Sequence, residues 1–195
     1  MSVIRQLSLF GADASSPEPD DLAGVLAAGG LVTLRGDAAQ VSVIVDHPWR
    51  AAALVAECAR RGIAATSVAT PAEHIAVRTA FSALLVPLGR DWMTGAVQRV
   101  PRAFRLDGRR LRLWAQTGGR RDGDTSYLLP AGPSEEVDRE ALGAALALLG
   151  LAAQLAVPRG TGTALYRIVG KRRLGRLVEL IGDPPKQAPA DIWPS

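Results

Sequence analysis

Apolar and polar positions along the chain repeat from about residue 20 onwards. Leu22-Ala23-Gly24-Val25-Leu26-Ala27-Ala28 is a run of small and apolar residues closed by Gly29-Gly30, the pattern of a short helix stopped by glycine. Alternation then predicts strands over residues 31–34 and 41–45, with Arg35-Gly36-Asp37 supplying hairpin turn chemistry between them. A helix follows, opened by Pro48 after His47 and stopped at Gly62. Residues 64–69 and 74–79 read as a second strand pair, and residues 82–92 as a closing helix.

The same order begins again 89 positions later, where Leu113-Trp114-Ala115-Gln116-Thr117 runs into Gly118-Gly119. Here the first strand pair shows one clear member, residues 126–129. Ser134 is placed to cap the next helix, with Glu135 and Glu136 in its first turn where the helix dipole favours acids. That helix ends at Gly150. Residues 153–157 and 164–169 pair across the turn Arg159-Gly160-Thr161-Gly162-Thr163, and residues 171–181 close the half. Residues 141–157 are the most apolar stretch, but Gly150 and Gln154 interrupt it and it is short for a bilayer. It reads as a buried helix running into a strand.

Two α-β-β-α-β-β-α halves of this kind resemble the LAGLIDADG homing-endonuclease fold, an α+β class in which pseudo-symmetric halves join through their signature helices. Leu22, Ala23, Gly24, Ala28 and Gly30 match that nine-residue motif. The resemblance implies a first half over residues 21–95, a basic connector over 96–108 and a second half over 109–183. A C-terminal tail, 184–195, carries Ile192-Trp193-Pro194, which reads either as a partner peptide or as a tail docked on the core.

The active family holds divalent metal on an acid near the foot of each signature helix. Those positions are Gly29 and Gly118 here, and the other motif aspartate is Ala27. None can ligate magnesium, which takes oxygen donors. No metal or cofactor is expected, and the chain resembles degenerate members that keep the fold as a binding module. Asp122 and Asp124 read as loop residues, the only alternative acids near the second motif. His47 and His74 lack ligand spacing, Gly170-Lys171 lacks the upstream glycine of a phosphate loop, and Cys58, the single cysteine, reads as core.

Composition changes the picture in one respect. Residues 1–95 carry a net charge of −2 and residues 96–195 a net +6. A basic half is the expected footprint of a polyanion. Strand alternation puts Arg78 and Arg167 at comparable places, and Arg159, Lys171, Arg172 and Arg173 at loop or helix-start positions suited to phosphates. These are the expected DNA contacts, against the plainer reading of solvated surface arginines.

The first ten residues stand apart. Gln6-Leu7-Ser8-Leu9-Phe10 resembles, at every position, the pentapeptide with which bacterial polymerases and repair factors bind the replicative sliding clamp, its beta subunit. The resemblance implies that Leu9 and Phe10 fill an apolar pocket on the clamp while Gln6 bonds at its rim. Residues 11–20 are polar with two prolines and read as a flexible linker, at most about 33 Å long when extended. The competing reading makes residues 3–10 an edge strand on the protein's own sheet. The expected function is a non-enzymatic clamp-binding accessory factor in replication, repair or translesion synthesis, meeting DNA or a polymerase. It would be cytoplasmic, at the nucleoid, without a membrane partner. A DNA-binding transcription regulator and a divergent nuclease remain the alternatives.

Overall fold

The computed structural model describes residues 11–12, 16–132, 135–157 and 163–194. A 3-10 turn, Pro19–Leu22, leads into the short helix α1, Ala23–Ala27. The first half continues through β1 (Leu31–Arg35), β2 (Ala38–Val45), α2 (Pro48–Arg60), β3 (Ala65–Ala69), β4 (Ile75–Thr79) and α3 (Val86–Trp92). A small hairpin, β5 (Met93–Thr94) and β6 (Val97–Gln98), opens the connector. The second half comprises α4 (Gly108–Gly118), β7 (Arg120–Arg121), β8 (Ser126–Pro130), α5 (Glu136–Leu148), β9 (Ala153–Ala156), β10 (Leu165–Val169) and α6 (Lys171–Ile181). The chain is α+β, with two antiparallel sheets of matching order, β1-β2-β4-β3 and β7-β8-β10-β9.

The halves meet along α1 and α4. A Cβ added at Gly24 would lie 1.9 Å from the carbonyl oxygen of Arg110, so the two backbones touch where glycine leaves room. Asp107 starts α4 by accepting from the Arg110 amide at 2.9 Å. Trp114, fully buried, stands edge-on to Tyr166 at 5.7 Å and donates its indole N–H to the Pro130 carbonyl at 2.8 Å. That pins α4 to both central strands of the second sheet.

Ionic contacts reinforce the joint. Asp21, 1% exposed, receives Arg61, just after α2, at 2.9 Å and Arg109 from α4 at 3.2 Å. Arg61 also reaches Glu57 at 2.6 Å. Buried ion pairs of this kind fix a unique arrangement more reliably than they add net stability.

Three local readings change, and one left open is decided. The second half has its missing strand, the two-residue β7, too short to show as alternation. The stretch 141–157 is a helix running into a strand, as expected, but the helix is buried on one face only. Helix α5 faces Leu142, Ala145 and Leu146 inward and leaves Leu148 82% exposed, since folded surfaces ordinarily retain isolated apolar side chains. Its N-cap position falls on Glu135, one residue after the expected Ser134, which lies outside the described residues. The segment 11–20 is not wholly free: Ala12 is buried with its amide bonded to the Leu180 carbonyl at 2.8 Å, and the Ser16 carbonyl accepts from Arg109. The tail is docked on the core, with Trp193 buried and its indole N–H on the Gly182 carbonyl at 3.0 Å.

Replacing Gly24 with valine forces α1 and α4 apart. The expected cost is about 3 kcal/mol or more, the upper range for overpacking a tight contact. Urea unfolding monitored by circular dichroism checks it, and Gly175→Ala, at an exposed site inside α6 with nothing near its Cβ position, serves as a control that should instead stabilise by about 0.5–1 kcal/mol.

Candidate nucleic-acid interface

Hydrogen-bond register aligns the two sheets residue by residue. In the first, Leu31, Ser42, Arg78 and Thr66 lie in one row across β1-β2-β4-β3. In the second, Arg120, Leu128, Arg167 and Gln154 make the corresponding row across β7-β8-β10-β9. Val77 and Thr79 flank Arg78 and are buried, as Tyr166 and Ile168 are around Arg167. Period-two alternation therefore turns both arginines outward at equivalent positions of their sheets.

Their surroundings differ. Arg78 is exposed and makes no ion pair among the described residues. Arg167 is held at 2.8 Å by Asp122, in the β7-β8 turn, and lies 3.3 Å from the Ser126 hydroxyl. Half of its side chain stays exposed, so a phosphate must compete with that carboxylate. Arg35, at the end of β1 over the Phe81 ring, and Arg120 join the same outward faces. Arg120 was legible in the sequence, since it follows Gly118-Gly119 as Leu31 follows Gly29-Gly30. The neighbouring row of the first sheet, Ile44, Ala76 and Val68, is apolar and offers a phosphate nothing.

Lys171, Arg172 and Arg173 are exposed at the first turn of α6, where Gly170 provides no side-chain cap. They border an open groove of about 770 Å³ that also includes Gly150, Ala152 and Arg176. Arg173 donates to the Val169 carbonyl at 3.0 Å. Arg159 lies outside the described residues, as do Gln6, Leu7, Ser8, Leu9 and Phe10. In the arginine-rich connector Arg102 and Arg105 are exposed, whereas Arg99 and the arginines that open α4 are held by acids. Arg99 pairs with Glu135 and Asp138, Arg109 with Asp21, Arg110 with Asp20, and Arg112 lies 3.8 Å from Glu57.

The foot of the signature helices carries a different device. A Cβ at Gly118 would come within 2.8 Å of the Pro130 ring, and Gly29 sits at φ 105, in the left-handed region that disfavours side chains. Arg50, only 2% exposed on α2, closes the end of α4 instead. Its guanidinium donates to the carbonyls of Ala115 at 3.2 Å, Gln116 at 2.9 Å and Gly119 at 2.7 Å, while its Nε meets Asp46 at 2.8 Å. Burial pulls its pKa down, and Asp46 opposes that shift. Arginine nevertheless stays charged in proteins. A fixed cation thus satisfies the helix terminus. No periodicity signals it, because its partners are backbone carbonyls more than sixty residues away.

Other chemistry is sparse. Among the described residues no group of three His, Cys, Asp or Glu could hold a metal ion. Asp124 is almost fully exposed and pairs with Arg121. His47 is exposed at the start of α2, and His74 bonds the Ala72 carbonyl. Burial pushes the Cys58 thiol up to about 11, as befits a core position. No helix among the described residues is long and apolar enough to cross a membrane.

With this geometry in view, similarity to solved structures is decisive for the fold. A homing endonuclease, I-WcaI, bound to its DNA recognition sequence, superposes with a TM-score of 0.62 at 10% identity, over 86% of this chain and 81% of that one. The fold is that of the LAGLIDADG endonucleases. The N-terminal LAGLIDADG domain of DUF199/WhiA matches at 0.58 and 12% identity, over 91% of this chain and 86% of that domain. Full-length DUF199/WhiA from Thermatoga maritima matches at 0.59 and 12% identity, over 86% of this chain and 56% of that protein. No protein-family model and no curated protein matches the chain. In the LAGLIDADG frame, β1-β2-β4-β3 and β7-β8-β10-β9 are the paired sheets and α1 and α4 the signature helices.

Arg50→Met keeps the aliphatic stem but removes the donors. It should destabilise the fold by about 3 kcal/mol, since buried carbonyls and Asp46 lose a charged partner. The urea midpoint should fall; an unchanged midpoint would show that water replaces the guanidinium without loss.

Proposed function

We propose that this chain is a non-enzymatic DNA-contacting module that the replicative sliding clamp recruits in bacterial replication, repair or translesion synthesis. One observation carries the DNA contact: register alignment of Arg78 with Arg167 and of Leu31 with Arg120, on outward sheet faces of a fold whose endonuclease neighbour is bound to DNA. Phosphate contacts from these arginines and from Lys171, Arg172 and Arg173 would position the duplex without reading its sequence. The non-enzymatic reading is supported by Gly29 and Gly118 at the acid positions and by Arg50 at the end of α4. A buried cation there repels the divalent metals that two-metal hydrolysis needs.

Recruitment rests on Gln6-Leu7-Ser8-Leu9-Phe10, three large apolar groups whose pattern meets the clamp peptide at every position. An attached peptide raises the local concentration of a weakly binding domain at the clamp's DNA. A polymerase sharing the clamp is a further partner in this reading. The second reading, a DNA-binding regulator that meets no clamp, draws support from the match of 91% of the chain to the DUF199/WhiA domain. Clamp pull-down separates the two.

Replacing Leu9 and Phe10 with alanine removes the anchors, at roughly 1.5–3 kcal/mol each if fully buried. Affinity for clamp should fall by about tenfold or more, measured by calorimetry with the full chain. Unchanged affinity removes the clamp from the proposal.

Duplex DNA should bind weakly, without sequence preference, and less tightly as salt rises, with a logarithmic slope of about −0.9 per phosphate neutralised. Changing Lys171, Arg172 and Arg173 together to alanine should flatten the slope by up to about three contacts at an almost unchanged melting temperature. Arg78→Ala should cost about one contact. Arg167→Ala should cost less, because Asp122 already neutralises that charge. Fluorescence anisotropy over a salt series measures all three.

A further inference from the structure

The end of α6 gathers donors from three directions. Ala12 gives its amide to the Leu180 carbonyl at 2.8 Å, and Arg112 reaches the carbonyls of Ile181 at 2.5 Å and Asp183 at 2.6 Å. Trp193 gives its indole N–H to Gly182 at 3.0 Å, with the Arg112 guanidinium 5.5 Å from its ring. Ala12 is 9% exposed and Trp193 3%, so these are packed contacts rather than surface touches. Orphan carbonyls at a helix C-terminus need donors, and here the N-terminal segment, α4 and the tail supply them together.

Placing Ala12 there limits what residues 6–10 can reach. Phe10 lies two positions before Ala12, so its Cα stays within about 7 Å of a point fixed to the end of α6. The ten-residue linker expected from the sequence would have allowed about 33 Å. A clamp that holds Leu9 and Phe10 in its pocket must therefore lie against whatever surrounds Ala12. Ala12 is held at the end of α6, from which the tail continues with Asp183, Lys186, Gln187 and Asp191 exposed.

We infer that the C-terminal end of α6 and the tail 183–194 form a second clamp-facing surface, which holds the bound clamp in one pose. The inference rests on the clamp reading above and names the surface that would meet that partner. Its exposed side chains are polar and of both signs. Such a rim contributes orientation and specificity more than affinity. The docked tail thus acquires a role besides closing the core, since it shapes the surface beside the peptide's exit.

Photo-crosslinking of the full chain tests this, with a benzophenone amino acid in place of Lys186 and purified clamp as the partner. A second chain carries in addition about twelve glycine and serine residues between Phe10 and Gly11, which lengthens the leash by about 20 Å. Calorimetry should show that both chains bind clamp with similar affinity. The crosslink from position 186 should form in the first and fall by about fivefold or more in the second, as the local concentration of clamp drops. Equal yields from the two chains overturn the inference and leave the clamp reading intact, as does clamp binding without any crosslink. A chain that binds no clamp at all overturns the clamp reading, and this inference with it.

Discussion

Everything in this molecule is arranged around the contact between α1 and α4. At Gly24 the two helix backbones are separated by no side chain, and the Arg110 carbonyl occupies the space a Cβ would need. Helices that approach so closely bring their flanking elements into contact as well. Asp21 can then be shared between Arg61 of the first half and Arg109 of the second, away from water. The same approach lets Arg50 on α2 reach across the joint to the last carbonyls of α4. Each half lacks a complete core without the other: α1 spans only Ala23–Ala27, too short to cover a sheet alone.

That joint also separates fold from chemistry. In a metal-dependent nuclease the foot of the signature helices gathers negative charge. Here it gathers glycine, the Pro130 ring and a buried guanidinium paired with Asp46. The sheets meanwhile keep an outward row that can meet a polyanion, with unequal strength in the two halves. Arg78 stands open, Arg167 is partly neutralised by Asp122, and Arg120 has an apolar counterpart in Leu31. A surface of this kind suits weak, positionally tolerant binding, which becomes useful when another contact supplies the concentration.

Legibility of the fold followed the strength of local signals. Glycine pairs after two apolar helices, the Gly36 turn and proline-opened α2 all act within a few residues, and each marks its element correctly. β7 escaped because two residues cannot display alternation. The arginines between 99 and 112 looked like a free basic stretch, yet Arg99, Arg109 and Arg110 are each matched to an acid many residues away, while Arg102 and Arg105 stay exposed. Charge counting sees the excess but not its pairing.

The sequence by itself determined the repeat, most of the order of elements, the α+β class and glycine at the positions read as motif acids, since these depend on identity and spacing along the chain. It also carries the Gln6 to Phe10 pattern, which needs no tertiary structure to be read. Only the tertiary structure decided which charges remain available to a partner. Arg78 and Arg167 are equivalent in register, but a turn residue reaches one and not the other. It likewise decided that Ala12 is held at the end of α6 and Trp193 inside the core. The reason is common to both: hydrogen bonds and ion pairs between distant residues depend on three-dimensional placement, and no periodicity in the chain encodes which of them will meet.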